Sequence, residues 1–338
     1  MIIRFGEGHF YLDENDRTWI DLISGIQNVP LGHGHKVIGD AFNSVLAKGV
    51  INAYDQITPS KFDLLYYLHD QYPDFKWAIC STGTESIERI LQMVKVLRDS
   101  SWVGRILYVD GAFHGKSYAV ARARYGDSWG SELFECLTPS NQNVPFDAII
   151  YEPIQGLNGT EIDEMLLREI ANKHGAYLIA DEIITGFGRC GSPFLSKTAD
   201  FIACGKGISS GVPIAFVASR RGMMDIPAGW TTTGSGNALC CEIAGRTLRE
   251  VQKIPLSHIQ QIEQTTIDIF GENNVLGKGA MLFIKVKDAE EARRRIIRIQ
   301  TIALYTKGYI RIAPRLNFPI QAYKTHMLLL HSAIEDLL

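Results

Sequence analysis

From about residue 76 to residue 251 the chain alternates short apolar runs with helix-patterned stretches, and that alternation leaves few folds open. Lys76–Cys80, Arg105–Val109, Ala148–Tyr151, Ala176–Ala180, Phe201–Ala203 and Pro213–Ala218 read as strands. Glu85–Arg98, Glu161–Lys173 and Leu239–Val251 read as helices. Strands separated by helices imply a mostly parallel sheet covered on both faces. The strands are continuous apolar runs, as burial on both faces requires. Ahead of this region lie strand candidates at Ile2–Phe5, His9–Leu12 and Thr18–Leu22, with the polar turn Asp13–Asp16 between the last two, then helical patterns at His35–Ala47 and Pro59–His69. Behind it come helix Ser257–Phe270, strand Met281–Val286, helix Ala289–Ile299, strand Tyr309–Ile312 and a terminal helix from about Ala322. The expectation is an α/β chain. Residues 51–250 form a large, mostly parallel α/β/α unit, and residues 1–50 and 251–338 together form a small α+β unit.

Composition narrows the function. The 338 residues are 46% hydrophobic and 21% charged, enough for a sizeable buried core. Lys and Arg total 34 against 37 Asp and Glu, a net charge of −3 that offers polyanions no general field. No apolar run approaches the ~18 residues of a membrane span. Met1–Gly6 has neither the long apolar core nor the cleavage site of a signal peptide. The six cysteines show no paired spacing and read as reduced thiols, which suits a cytoplasmic protein.

Three local patterns could carry chemistry. At Cys80-Ser81-Thr82-Gly83-Thr84-Glu85 a strand gives way at once to a helix, with Thr82 or Thr84 placed to cap it. Free N–H groups and the helix dipole then converge on a spot suited to phosphate, although a plain capped helix start would look the same. Asp181 ends the strand Ala176–Ala180, where open α/β sheets bind ligands. Its neighbour Glu182 must face the other way on an extended chain, so the two cannot act as a pair. Lys206 lies in the glycine-rich turn Cys204–Gly211 directly after an apolar strand. Apolar surroundings favour its neutral, nucleophilic amine. A phosphate cradle, a strand-end carboxylate and a loop lysine are together the contacts that pyridoxal phosphate needs. Gly205-Lys206 is no Walker loop, and Gly186-Phe187-Gly188-Arg189 lacks the third glycine of a dinucleotide fingerprint.

From Phe10 to Leu316 the sequence resembles the class III, fold type I, pyridoxal-phosphate-dependent aminotransferases. That group holds ornithine and 4-aminobutyrate aminotransferases and glutamate-1-semialdehyde aminomutase. The resemblance is carried by Leu31-Gly32-His33-Gly34-His35, Ser81–Glu85, Phe113-His114-Gly115, Glu152-Pro153-Ile154-Gln155-Gly156, Asp181–Arg189, Gly205-Lys206-Gly207, Ser235-Gly236-Asn237 and Arg311-Ile312-Ala313-Pro314. It implies that Lys206 is the Schiff-base lysine and Asp181 the partner of the pyridine nitrogen. Gly83 and Thr84 would hold the phosphate, helped by Thr233 from the neighbouring subunit of a homodimer. Phe113 would stack on the cofactor ring and Ile183 pack on its other face. Glu152 and Gln155 would line the polar edge of the pocket, and Arg311 would bind the substrate carboxylate. Small-molecule amino donors and carbonyl acceptors are the implied partners, with no nucleic acid, membrane or metal. The pair His33 and His35 lacks the carboxylate or cysteine company of a metal site. Arg189 is expected to satisfy backbone carbonyls, His114 to order the turn that carries Phe113, and Cys240-Cys241 to pack.

The chain departs from the family pattern in places. It begins directly at the first strands, and the stretch from Val251 to Arg311 is compressed. Leu157 stands where relatives handling two carboxylates often carry Glu, which argues against an ornithine- or 4-aminobutyrate-type substrate. Ala238 replaces the usual proline. Ser235-Gly236-Asn237 and Arg220-Arg221 lean toward the aminomutase branch. Transamination is the expected reaction. A 2,1-aminomutase, or a non-catalytic protein that keeps the cofactor pocket only for binding, are the alternatives.

Overall fold

The computed structural model describes residues 1–54, 56–126, 128–220, 232–306 and 308–338, so Arg221 lies outside the described residues. Strands β1 (Ile3–Glu7), β2 (Phe10–Asp13) and β3 (Thr18–Asp21) form an antiparallel meander. The turn between β2 and β3 is tied by the buried carboxylate of Asp13, which accepts the N–H groups of Asn15 (2.8 Å) and Arg17 (3.0 Å) and the Trp19 indole N–H (2.9 Å). Helices Lys36–Lys48 and Pro59–Gln71 follow, the second started by proline in its first turn and capped by Thr58.

The central sheet is built from β4 (Phe75–Cys80), β5 (Ile106–Tyr108), β6 (Phe134–Cys136), β7 (Ala148–Tyr151), β8 (Tyr177–Asp181), β9 (Phe201–Cys204) and β10 (Ala215–Arg220). Their spatial order is β4-β10-β9-β8-β7-β5-β6. All neighbouring pairs from β6 to β9 are parallel, whereas β10 runs antiparallel to both β9 and β4. The chain between β9 and β10 is too short for a crossover helix, so it can only reverse direction. Lys206 lies in that reversal.

Strands β7 and β9 are buried along their whole length, as their unbroken apolar sequence anticipated. Ile87, Ile90, Leu91 and Val94 of helix Gly83–Arg98 cover one face of the sheet. Helices Pro59–Gln71, Glu164–Lys173 and Ala238–Gln252 cover the other through Leu64, Leu68, Leu167, Ile170, Ala244 and Leu248. The helix expected from Glu161 begins only at Glu164. Asp163 caps it, its carboxylate accepting the N–H groups of Met165 (3.0 Å) and Leu166 (3.1 Å).

The C-terminal part adds helix Leu256–Phe270, β11 (Val275–Lys278), β12 (Met281–Lys285), helix Ala289–Arg298, β13 (Thr301–Ile302), β14 (Leu304–Thr306), β15 (Tyr309–Ile312) and helix Ile320–Ile334. Both ends of the chain share one core, in which Leu22, Leu31 and Val37 pack with Leu282, Ile310, Tyr323 and Met327. Strand β13 also pairs with β3. Strands β6, β11, β13 and β14 lie where no strand was expected. Each has two to four residues, too few to leave a periodic signal.

Ser24, Gly25, Ile26 and Gln27 form one left-handed turn, with φ of +42°, +60°, +62° and +61°. Such a conformation costs roughly 1–2 kcal/mol for each L-residue, so the surroundings must hold it. Asp21 does so, accepting the N–H groups of Ile23 (2.9 Å) and Gly25 (2.8 Å) while contacting His33 Nε2 (2.8 Å). The Ser24 hydroxyl donates to the Ala313 carbonyl (2.8 Å). Asp21→Ala orphans three buried or half-buried polar groups at once. Urea denaturation is expected to show a loss of about 2–4 kcal/mol; a loss below about 0.5 kcal/mol would mean that the turn holds itself.

Candidate active site

At the C-terminal ends of the parallel strands lies a cavity of about 180 Å³. Gly83, Thr84, Phe113, Glu152, Asp181, Ile183 and Lys206, all singled out from the sequence, line it together with Thr82, His114, Gly115 and Ile184. A second cavity of about 340 Å³ shares Thr82, Gly83 and Lys206 and reaches Gly25, Ile26 and Gly211. A separate cavity of about 300 Å³, lined by Tyr67, Phe187, Leu248 and Leu316 among others, has no charged side chain in its wall. The residues singled out for chemistry gather in the first two.

The anion cradle is the start of helix Gly83–Arg98. Thr82 caps it, its hydroxyl accepting the Glu85 N–H (3.1 Å), while the Glu85 carboxylate accepts the Ser81 N–H (2.8 Å). The N–H groups of Gly83 and Thr84 are among those that a helix leaves without an internal partner. A side chain at position 83 would come within 2.8 Å of Ile183 Cδ1, and one at Gly115 would collide with Thr84. Glycine at both positions is thus what lets Ile183 and Thr84 pack directly on the cavity's backbone.

Asp181 is 5% exposed at the end of β8. Its carboxylate accepts the Ile183 N–H (3.2 Å) and contacts Nδ1 of His114 at 2.8 Å. His114 is 1% exposed and its Nε2 has no partner among the described residues. Expected only to order a turn, His114 is in fact the side-chain partner of Asp181. The two are 67 residues apart, and no local pattern links them. Lys206 adopts a left-handed φ of +46° in its turn. Burial lowers its pKa and Arg311 adds to the effect, while Asp181 and Glu152 oppose it. The balance lowers the pKa and so weakens the hold on the ammonium proton.

Glu152, 3% exposed, accepts the N–H groups of Phe113 (2.9 Å) and Gly156 (3.1 Å) and so ties two site-forming turns together. Gln155 is turned away from the cavity. Its amide donates to the Asp110 carbonyl (2.5 Å) and accepts from Asn158 (2.9 Å), because the turn after β7 needs both groups for itself. Arg311, on β15 and 8% exposed, stands behind the cavity wall and donates to the Gly156 carbonyl. Its Nε has no partner among the described residues. Thr233 is exposed and does not line its own chain's cavity; its carbonyl accepts from Asn52 (2.8 Å).

The remaining candidates have structural tasks. His33 bonds Asp21, and His35 caps the helix Lys36–Lys48. Arg189, fully buried, donates to the carbonyls of Ala280 (3.2 Å) and Pro314 and to the Ser24 hydroxyl (3.2 Å), joining the loop after β8 to both ends of the chain. Glu182 faces away from Asp181 and accepts from Thr185 (2.9 Å), Leu195 N–H (3.1 Å) and Ser196 N–H (2.7 Å). No group of three metal-ligating side chains occurs among the described residues.

A family model described as aminotransferase class-III matches residues 1–147 and 121–334, nearly the whole chain. The chain belongs to the class III aminotransferases. A protein of Pyrococcus furiosus named for LysW-aminoadipate semialdehyde/glutamate semialdehyde transaminase activity is 31% identical across 83% of this chain and 81% of its own length. An acetylornithine aminotransferase of Methanopyrus kandleri is 26% identical across 85% of this chain and 81% of its own. Among solved structures, an amine transaminase from an uncultivated Pseudomonas species superposes with a TM-score of 0.85. It is 22% identical and covers 100% of this chain and 95% of its own. The ornithine aminotransferase of Toxoplasma gondii gives 0.86 at 19% identity, over 99% and 91% of the two chains.

This class III aminotransferase is a transaminase that works with pyridoxal phosphate, on the fold type I scaffold. The residues present fit the cofactor. Unpaired N–H groups at a helix start suit its phosphate, and a strand-end carboxylate suits its ring nitrogen. A buried lysine whose surroundings disfavour the ammonium suits its aldehyde.

The buried acid beside the site has a consequence for stability. Burial pushes the Glu182 carboxyl from its ordinary 4.5 up to about 7, against the three hydrogen bonds it accepts. The folded chain therefore holds this proton to higher pH than the unfolded chain. Its stabilising contribution is complete below about pH 4.5 and is lost as the pH rises through 7. The 2.5-unit interval (7 − 4.5) corresponds to about 3 kcal/mol. In urea denaturation, the decline in stability between about pH 5 and pH 8 should shrink by roughly that amount in Glu182→Gln. Equal declines in both proteins would assign the effect elsewhere.

Proposed function

We propose that Lys206, Asp181 and the Gly83-Thr84 cradle perform transamination between an amino acid and a carbonyl acceptor, with Arg311 reading the substrate carboxylate. The convergence of all three cofactor-binding elements in one cavity carries this reading. Pyridoxal phosphate supplies an electrophilic aldehyde and a ring that withdraws electrons. The Gly83 and Thr84 N–H groups would hold its phosphate. Asp181, kept in place by His114 and the Ile183 N–H, would favour the protonated ring nitrogen. Phe113 and Ile183 line the same cavity and would confine the ring. Lys206 would anchor the aldehyde, and its amine is the base that would take and return the proton of the substrate carbon bearing nitrogen. A positioned base of this kind supplies ~10²–10⁴-fold in rate. Arg311, a buried guanidinium with an unpartnered Nε, suits a carboxylate. The names of the relatives point to acceptors that are semialdehydes of amino acids.

Borohydride treatment of the loaded enzyme should fix the cofactor to a peptide containing residue 206. Lys206→Ala should bind the cofactor more weakly and lose at least ~10⁴-fold in turnover. A tagged peptide from elsewhere would overturn the assignment.

The enzyme acts as a homodimer that shares its sites. Leu46, Val50, Ile51, Ile57, Phe62 and Tyr66 leave a large apolar surface exposed, with Ile57 at 66% and Tyr66 at 63%. Patches of this kind mark interfaces. The patch continues to Thr233, since Asn52 bonds the Thr233 carbonyl and the Ile51 carbonyl accepts the Ala238 N–H (2.7 Å). A Thr233 that serves the neighbour's phosphate makes a specific demand on mixed dimers. Lys206→Ala and Thr233→Asp should each be inactive alone and recover activity, up to half per mixed dimer, after subunit exchange. No recovery despite exchange would remove Thr233 from the site. Six cysteines, all free, support a reducing, cytoplasmic setting, and no described helix is long and apolar enough to cross a membrane.

A further inference from the structure

Glu152 is a buried carboxylate for which the transamination steps find no use. Its Oε1 accepts the Gly156 N–H, and Arg311 donates to the carbonyl of the same glycine. A methyl group at position 156 would lie 3.0 Å from Glu152 Oε1 and 3.5 Å from Arg311 Nη1. Carboxylate and guanidinium therefore flank one residue, close but not joined in an ion pair. Leu157, next along the chain, brings no charge.

The groups facing Glu152 come from four elements. His114 follows β5, Asp181 ends β8, Lys206 follows β9 and Arg311 lies on β15. In this cluster a charge on Glu152 is offset first by His114 and, reciprocally, by Arg311, whose charged form Glu152 in turn favours. A ligand carboxylate on Arg311 would use up the guanidinium's field and leave Glu152 facing two anions, the ligand and Asp181, with almost no water to screen them. Burial already pushes the Glu152 carboxyl upward, with Asp181 adding to the effect, so protonation is within easy reach.

We propose that Glu152 is a proton-responsive counter-charge to Arg311: when a carboxylate binds the guanidinium, Glu152 takes one proton from solvent. The inference rests on the reading of Arg311 as the carboxylate site and adds a rule to it. Anionic substrates enter together with a proton and leave with it, so the cavity changes its net charge little through either half-reaction.

The experiment uses the cofactor-loaded enzyme and propionate, a carboxylate with no amino group to react. Calorimetry in two buffers of different ionisation enthalpy counts the protons taken up on binding, and cofactor absorbance counts those that go to the cofactor and Lys206. The expected result is about one further proton, with propionate affinity falling about tenfold per pH unit above the Glu152 titration. Glu152→Gln, a neutral mimic, should abolish the extra uptake and flatten the pH dependence while keeping affinity near the low-pH value. Wild-type binding without extra uptake, or the same uptake in Glu152→Gln, would overturn the coupling and leave the Arg311 reading intact. Undiminished propionate binding in Arg311→Ala would sink both. The wild-type proton count decides the matter even if the variant folds poorly.

Discussion

Placing an amine and two carboxylates around one small cavity, with a guanidinium behind its wall, is unfavourable unless each charge has an answer nearby. That constraint governs how this enzyme is assembled. Asp181 is answered by His114 and a backbone N–H, Glu152 by the N–H groups of Phe113 and Gly156, and Arg311 by the Gly156 carbonyl. Of these groups, only the Lys206 amine, the one we propose as the reacting group, makes no side-chain hydrogen bond among the described residues. The turns bearing Phe113, Gly156 and Ile183 are held by the charges themselves. Site and scaffold therefore stand or fall together.

The sheet explains why these groups can meet at all. Parallel strands deliver successive loops to one edge, so residues from positions 83, 113, 152 and 181 converge without long excursions. The single antiparallel strand β10 is what allows Lys206 to sit in a tight reversal instead of opening a crossover helix. A helix in its place would bring its own dipole and hydrogen-bonded backbone. The reversal brings Lys206 to the cavity that Asp181 also lines.

Much of this was legible in the amino-acid order. Unbroken runs such as Ala148–Tyr151 and Phe201–Cys204 announce doubly buried strands, and Thr82-Gly83-Thr84-Glu85 announces a capped helix start. Asp181 and Lys206 were visible because strand ends and glycine turns have local signatures. What stayed hidden depends on contacts between distant segments. Nothing near His114 reveals that its ring meets Asp181, and nothing near Gln155 reveals that Asp110 and Asn158 claim its amide. The left-handed turn at Ser24–Gln27 was equally invisible, since Ile26 is a residue whose own preference opposes that conformation.

That turn shows how the ends of the chain take part in the active site. Ile26 lines the outer cavity beside Lys206, so the left-handed backbone forms part of that cavity's wall. The Leu22 carbonyl accepts the Ala313 N–H (2.7 Å), the Pro30 carbonyl accepts the Leu316 N–H (2.7 Å), and Arg189 bonds both the Ser24 hydroxyl and the Pro314 carbonyl. The cavity mouth is thus held by a segment some 290 residues further along the chain (313 − 24 = 289), and Arg311 lies two residues from that anchor. Arg311 ties this frame to the central sheet through the Gly156 carbonyl, so the left-handed turn, the C-terminal anchor and the turn after β7 are joined through one set of hydrogen bonds. Ser24 and Ile26 are held in the left-handed region by those partners, because the conformations around it are sterically forbidden.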